Sequence, residues 1–456
     1  GYLESFLEKN KRVTPEEMYQ VAFAQYKTGK YKEAIVNLKE LQLADGELAQ
    51  NALYALADCY LKLDKKKEAR ASFASVAKYD FDKSIKEESE FNYGKLCFEL
   101  GDENEAITSL KAFISKYPKS TKTAEAKNLL AEQLVSTKNY PEAIELMEDF
   151  DEFTDKNQIV FQKINYFYAV ELYNDNKQDQ ALVHLDKSTN NAVDNNIDGQ
   201  VTFLKAEILF EKKQYKTAME NYASAYQMMQ KAGMNSANYS NLKALYGKAY
   251  CHYMLKEYNN AAIAFGKVIE ECNVTKDAAG KAKVYPDALL RRGDAFFILK
   301  NYEGARNDYY QVFQLNLQGG DYALLQKATL DGLLKDDEAR INSLQTLIAT
   351  YKKSLYLDDA IYQLGSVYEE RNDYEKAKLQ FNILLDKYKN SNYTAKALLK
   401  LGLISYNENK MDNALVYYKT VGEEFSNTPE SEQALKVIKE IYMSKGEAEK
   451  YINYLE

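Results

Sequence analysis

The stretch GKYKEAIVNL, Gly29 to Leu38, decides how this chain is read. A turn glycine is followed by an aromatic residue, polar residues, an alanine and, four positions later, a large apolar side chain. The phrase returns as NYPEAIELM (Asn139–Met147), QYKTAMENY (Gln214–Tyr222), EYNNAAIAF (Glu257–Phe265), NYEGARNDY (Asn301–Tyr309) and DYEKAKLQF (Asp373–Phe381). Repetition at such a period is the signature of an array of small units that bury their apolar faces against one another.

Aligned on the alanine, the units are anchored at Ala34, Ala69, Ala106, Ala143, Ala181, Ala218, Ala261, Ala305, Ala339, Ala377, Ala414 and Ala448. The spacings are 35, 37, 37, 38, 37, 43, 44, 34, 38, 37 and 34 residues. Twelve positions before the anchor stands Ala or Gly in ten units, as at Ala22, Gly94, Gly293 and Gly402, with Lys327 and Lys436 breaking the rule. Four positions after it stands a large residue such as Leu38, Phe73 or Tyr309, with Ser343 the exception. Offsets of three and four put the aromatic, the alanine and the large residue on one helical stripe. The small residue belongs to a preceding helix, where its size lets two backbones approach. Between the helices lie KTGK, ELGD, STKN, NDNK, ERND and NENK, rich in residues that take the left-handed conformation closing a helix. Each unit therefore reads as helix, tight turn, helix.

With small residue, turn, aromatic, alanine and large residue in this order, the chain resembles the tetratricopeptide repeat (TPR) family from Thr14 to Glu456. The resemblance implies an all-α fold, a right-handed superhelical solenoid of about twelve helix-turn-helix hairpins. It is expected to run continuously over residues 1–456, as two arms with a bend between about 225 and 325. The 43- and 44-residue spacings insert residues around Gln227–Asn241 and Glu271–Lys283, where lengthened helices or a bend are expected. The phrases FISKYPKSTKTAEAKNLLAEQL (Phe113–Leu134) and EEFSNTPESEQAL (Glu423–Leu435) are similar to TPR proteins of Gram-negative cell envelopes. That similarity implies a periplasmic or outer-membrane setting, with membrane association through a lipid anchor outside this segment; a cytoplasmic setting stays open. Gly1 without an initiator Met reads as a trimmed start.

Composition narrows the function classes. The formal charge of −8, from 68 acidic and 60 basic residues, offers no net attraction to nucleic acid. No run of apolar residues is long enough to insert this segment into a membrane. Cys59, Cys97, Cys251 and Cys272 have neither metal-ligand spacing nor disulfide density. His184 and His252 stand apart, so no metal and no cofactor is expected. The run DNNIDG, Asp194–Gly199, opens like a calcium loop, but Lys205 occupies the position of the closing glutamate. No nucleophile motif or phosphate loop is present, so the chain is expected not to be an enzyme.

The resemblance implies a concave trough lined by first helices, receiving an extended segment or helix of a protein partner. The residues carried onto it are Tyr246, Tyr250, Tyr253, Tyr166, Tyr173, Phe203, Phe210 and Phe297, with Tyr246, Tyr250 and Tyr253 on one helix face. Tyrosine offers flat apolar area plus a hydroxyl, which suits protein recognition, although many of the 39 tyrosines must fill packing seams. Lys–Asn pairs that clamp chaperone tails are absent, since their places hold Tyr19 with Phe23, Tyr54 with Asp58 and Phe91 with Lys95. The reading is a protein-binding scaffold of envelope assembly or maintenance. The alternatives are a glycan-capture TPR lipoprotein and the docking arm of a larger protein whose activity lies elsewhere.

Overall fold

The computed structural model describes residues 13–150, 154–190, 192–232, 239–274 and 278–455. Parts of the two inserted stretches, 233–238 and 275–277, lie outside the described residues. The described residues form 24 α-helices in consecutive antiparallel pairs, with no strand. The chain divides into two compact units, residues 1–208 and 209–456.

In the first unit the pairs are α1 (Pro15–Lys27) with α2 (Tyr31–Glu40), α3 (Gly46–Lys62) with α4 (Lys66–Val76), and α5 (Lys83–Leu100) with α6 (Glu103–Lys116). They continue with α7 (Thr123–Ser136) and α8 (Tyr140–Glu148), then α9 (Asp155–Asn174) and α10 (Gln178–Asn190). Helix α11 (Asn195–Glu211) carries the division between the units. The second unit holds α12 (Tyr215–Lys231), α13 (Tyr239–Met254) with α14 (Tyr258–Val274), and α15 (Ala278–Ile298) with α16 (Tyr302–Gln314). Then follow α17 (Gly320–Leu333) with α18 (Asp337–Thr350) and α19 (Leu357–Glu370) with α20 (Tyr374–Lys387). The last pairs are α21 (Thr394–Asn407) with α22 (Met411–Glu424) and α23 (Pro429–Ser444) with α24 (Ala448–Leu455). Flanking the inserted stretches, α12, α14 and α15 run to 17, 17 and 21 residues, against 14 in α19 to α22. The lengthening expected from the wide spacings is therefore present.

One backbone event recurs in all twelve turns. The residues Gly29, Asp64, Gly101, Lys138, Asn176, Lys213, Lys256, Lys300, Lys335, Asn372, Asn409 and Gly446 take positive φ, between 57° and 79°. In each case the next residue's N–H donates to the carbonyl five positions back, as from Asn301 to Phe296 and from Asp373 to Tyr368, at 2.8–3.0 Å. This six-to-one bond satisfies a carbonyl that the helix end would otherwise orphan, and it reverses the chain at a fixed place.

That fixed place corrects the register of two units. Counted from the left-handed residue, ten anchors agree with the alanine alignment, and all ten are fully buried. In the ninth unit the anchor is Arg340 rather than Ala339, which pairs Ala328 with Leu344, both 0% exposed, and removes Lys327 and Ser343 as rule-breakers. In the twelfth it is Tyr451 rather than Ala448, three residues on; α24 buries none of its residues, and Ile452 is exposed.

The seam within a hairpin joins the small residue to the large one 16 positions later. A Cβ at Gly365 would stand 2.6 Å from Phe381, one at Gly402 2.8 Å from Tyr418 and one at Gly293 2.9 Å from Tyr309. Glycine is required there because the ring lies directly on the helix backbone. Hairpins are then locked to their successors by polar clamps. In the first unit the buried Gln50 side chain accepts from the Asp82 N–H at 2.7 Å and donates to the Asp82 carbonyl at 2.9 Å, and Gln162 grips Asp194 in the same way. In the second unit Ser354 Oγ donates to Asp321 at 2.7 Å and Ser391 Oγ to Asp358 at 2.6 Å.

Gly365→Ala is expected to cost about 1–3 kcal/mol, the usual penalty of overpacking a filled core. Urea unfolding midpoints check this, and adding Phe381→Leu should restore part of the loss by making room for the methyl group.

Candidate functional site

The first helices of the second unit carry a continuous polar chain beneath the aromatic patch. Tyr246 Oη and Tyr250 Oη both donate to Asp287 Oδ2, at 2.7 and 2.5 Å. Arg291 Nε donates to Tyr250 Oη at 3.1 Å and lies 3.3 Å from Asp287 Oδ1, while its Nη1 donates to Asp294 Oδ2 at 2.7 Å. Asp294, which is buried, accepts from Tyr309 Oη at 2.7 Å and Tyr322 Oη at 2.9 Å through its other oxygen. Four helices, α13, α15, α16 and α17, are thereby tied together. Residues 287, 291 and 294 fall at helical spacings of four and three, so one face of α15 supplies all three charges.

The rings close over this chain. Tyr246 meets Tyr250 edge to face at 4.9 Å, Tyr250 meets Phe265 at 5.5 Å and Phe210 at 6.4 Å, and Tyr253 meets Tyr258 at 5.6 Å. Tyr246, Tyr250, Tyr253, Phe210 and Phe297 are all half-buried, and Phe297 packs on Tyr302 at 6.1 Å. In the first unit Tyr166, Tyr173 and Phe203 are likewise half-buried, with Tyr166 against Phe167 at 5.5 Å. The structure therefore brings Tyr246, Tyr250, Tyr253 and Phe210 together, and it places Tyr166, Tyr173 and Phe203 in the other unit. The hydroxyls of Tyr246 and Tyr250 are spent inside the protein, leaving ring surface as what they offer outward.

Burial, then the neighbouring Asp287 carboxylate, pushes the Tyr250 phenol up to about 12 and raises that of Tyr246 further. Burial also raises Tyr253 and Tyr166. At Tyr246 and Tyr250 the Asp287 carboxylate accepts a hydrogen bond from the neutral phenol and repels the phenolate, so the phenol keeps its proton.

A second feature escaped the sequence reading. Between α19, α21 and α23 lies a recess of about 360 Å³, with Tyr362, Leu399, Leu403 and Val437 as its apolar wall and Lys396, Lys400, Glu430 and Gln433 around it. Leu403 is 37% exposed. Lys400 is bound to Glu369 at 2.7 Å, whereas Lys396 and Glu430 form no ion pair among the described residues. Tyr362 stacks on Tyr393 at 4.7 Å with ring planes 20° apart. Its signal in the sequence was the 396, 399, 403 spacing of α21, an apolar stripe edged by lysine.

Two models of the tetratricopeptide repeat match, one at residues 88–120, 243–272, 359–391 and 396–428 and the other at 22–83 and 276–319, together just over half of the chain. The chain belongs to the tetratricopeptide repeat family. No curated protein matches it by sequence. Solved structures similar to it include the C-terminal part of a TPR repeat-containing protein from Cytophaga hutchinsonii, 18% identical over 58% of this chain and 98% of that one, at a TM-score of 0.35. A tetratricopeptide repeat protein from Parabacteroides merdae is 16% identical over 61% and 98%, at 0.38. Aspartyl phosphate phosphatase F from Bacillus subtilis is 14% identical over 75% and 94%, at 0.37. The TPR fold is in general a non-catalytic platform for protein–protein interaction.

Both histidines of this TPR chain have structural partners. His184 Nδ1 lies 2.9 Å from Asn165 Oδ1 with its ring against Tyr168, and burial lowers its pKa. His252 Nδ1 lies 2.7 Å from Glu257. All four cysteines are buried. Among the described residues no group of three or more His, Cys, Asp or Glu is placed to hold a metal ion. In the calcium-like run, Asp194 is gripped through its backbone by Gln162, and burial raises the Asp198 carboxyl; the Asn196 side chain lies outside the described residues. No described helix is long and apolar enough to cross a membrane.

The raised phenols make alkaline stability a reporter of the polar chain. Tyr250 contributes fully below pH ~10, where the unfolded phenol is still neutral, and its contribution is lost as pH rises towards about 12, because only the unfolded state then releases the proton. Urea midpoints measured from pH 9 to pH 12 should fall less steeply for Tyr250→Phe than for the unaltered chain. Equal slopes would show that the Tyr250 phenol ionises freely in the fold.

Proposed function

We propose that the chain is a non-enzymatic scaffold that docks segments of partner proteins along the first-helix face of its repeats. The observation that carries this reading is the recess between α19, α21 and α23. An apolar wall with Leu403 exposed, beside Lys396, whose ammonium lies over the Tyr393 ring at 5.6 Å, and Glu430, which forms no ion pair among the described residues, is what a peptide with an aliphatic anchor and flanking polar groups would fill. The half-buried faces of Tyr246, Tyr250, Tyr253, Phe210 and Phe297 extend the contact surface within the same unit, and Tyr166, Tyr173 and Phe203 supply its counterpart in the other. Their rings lose little conformational freedom on binding, since packing already holds them. The similarity of Phe113–Leu134 and Glu423–Leu435 to envelope TPR proteins supports a role in envelope assembly or maintenance.

A photo-cross-linking residue at Leu403, and a second at Tyr253, should trap a defined protein in the envelope fraction of the native cell. The same residue at Val416, exposed on the second helix α22, serves as the control. Leu403→Asp should abolish capture at both first-helix positions by the same partner while leaving the helical content unchanged. Capture from Val416 but from neither first-helix position would move the docking surface to the other face and sink the proposal.

A further inference from the structure

A cavity of about 620 Å³ opens between α12, α13 and α14, on the side of α13 opposite the tyrosine patch. Its size falls within the range of small-molecule sites. Tyr222 and Tyr226 form one wall and Leu245, Ile263 and Ala264 the apolar lining. The space depends on Gly247, where a Cβ would stand 2.4 Å from the Tyr222 ring, so only glycine lets that ring lie against α13.

Charges of both signs line the same cavity. They are Lys248 and Lys267, and Glu270 and Glu271. No ion pair or hydrogen bond joins any of the four to another or to any other described residue. His252, also in the lining, is committed to Glu257 at 2.7 Å. The Oε2 oxygen of Glu271 is sequestered from solvent without any donor. A carboxylate oxygen shut off from solvent without a donor is costly, so a ligand that brings a donor to it is favoured.

We infer that this cavity binds a small zwitterion, of the chemical class of a free α-amino acid. The ammonium of such a ligand supplies the donor that Glu271 lacks, and the tyrosine rings beside it favour a cation. Its carboxylate meets Lys248 and Lys267, which offer point charges with spare hydrogens. The apolar lining of Leu245 and Ile263 accepts the side chain. An ammonium alone would forgo the contact with the half-buried Lys248 and the exposed Lys267, and a carboxylate alone would leave the enclosed Glu271 oxygen without a donor. This site is separate from the first-helix docking surface and does not rest on it.

Thermal denaturation of the whole chain with each standard L-amino acid, followed by calorimetric titration of the best, tests the assignment. A saturable rise in melting temperature is expected with at least one of them. The matched amine without a carboxylate and the matched acid without an amine should each bind at least about tenfold more weakly. Glu271→Gln should leave the helical content of the ligand-free chain unchanged and should remove the ligand-dependent rise, because the half-buried side chain then offers the ammonium no charge. Lys248→Met should remove that rise at unchanged ligand-free stability. No response to any amino acid, an equal response to the two half-molecules, or a response that Glu271→Gln leaves intact would each overturn the inference.

Discussion

The structure depends on where each hairpin turns. A single left-handed residue and the six-to-one hydrogen bond behind it set the point of reversal in all twelve units. Because that point is fixed, in the first eleven units the residue seven before it faces the residue nine after it; in the twelfth those places hold Lys439 and the exposed Leu455. One must be small and the other large, and the eleven large residues from Leu38 to Tyr418 are at most 3% exposed. Five of the twelve left-handed positions are lysine, a residue with no intrinsic liking for that conformation. Stacking of the flanking helices outweighs the local cost, which shows how strongly the register is imposed from outside the turn.

The same stacking decides what the aromatic residues can do. A tyrosine on a first helix stands within reach of the next first helix, and its hydroxyl is buried unless it finds an acceptor there. Asp287 and Asp294 meet that need for Tyr246, Tyr250 and Tyr322, and also for Tyr309 of the second helix α16, and Asp58 does so for Tyr26 at 2.5 Å. Arg291 then neutralises the two carboxylates that the tyrosines have drawn in. Much of the tyrosine content thus serves cohesion between hairpins, while recognition is left to ring faces and to places where the apolar stripe stays open. Along α21 the stripe of Leu399 and Leu403 stays open and walls a recess.

Much of this was legible in the sequence. The repeated phrase identified the hairpin, the number of units and ten of the twelve anchors, because a buried alanine next to a tight turn has few substitutes. It misplaces two anchors at Ala339 and Ala448, since both are alanines lying within a few residues of the true position and the register follows turn geometry, not residue identity. The left-handed residues Lys335 and Gly446 carried the correct register. The tyrosine patch was legible as a helical face, but its acceptors were not, because Asp287 lies 37 residues beyond Tyr250 and only stacking brings them to 2.5 Å.

What the sequence by itself determined was the local rule: helix, left-handed turn, helix, with one small and one large position per unit, since these follow from backbone conformation and side-chain volume within a few turns. The tertiary structure alone decided which polar groups are consumed and which remain open. The hydroxyl of Tyr250, the unpaired oxygen of Glu271 and the exposed Leu403 differ only in what the neighbouring hairpin places opposite them. That depends on the packing of residues distant in the chain, which no local pattern encodes.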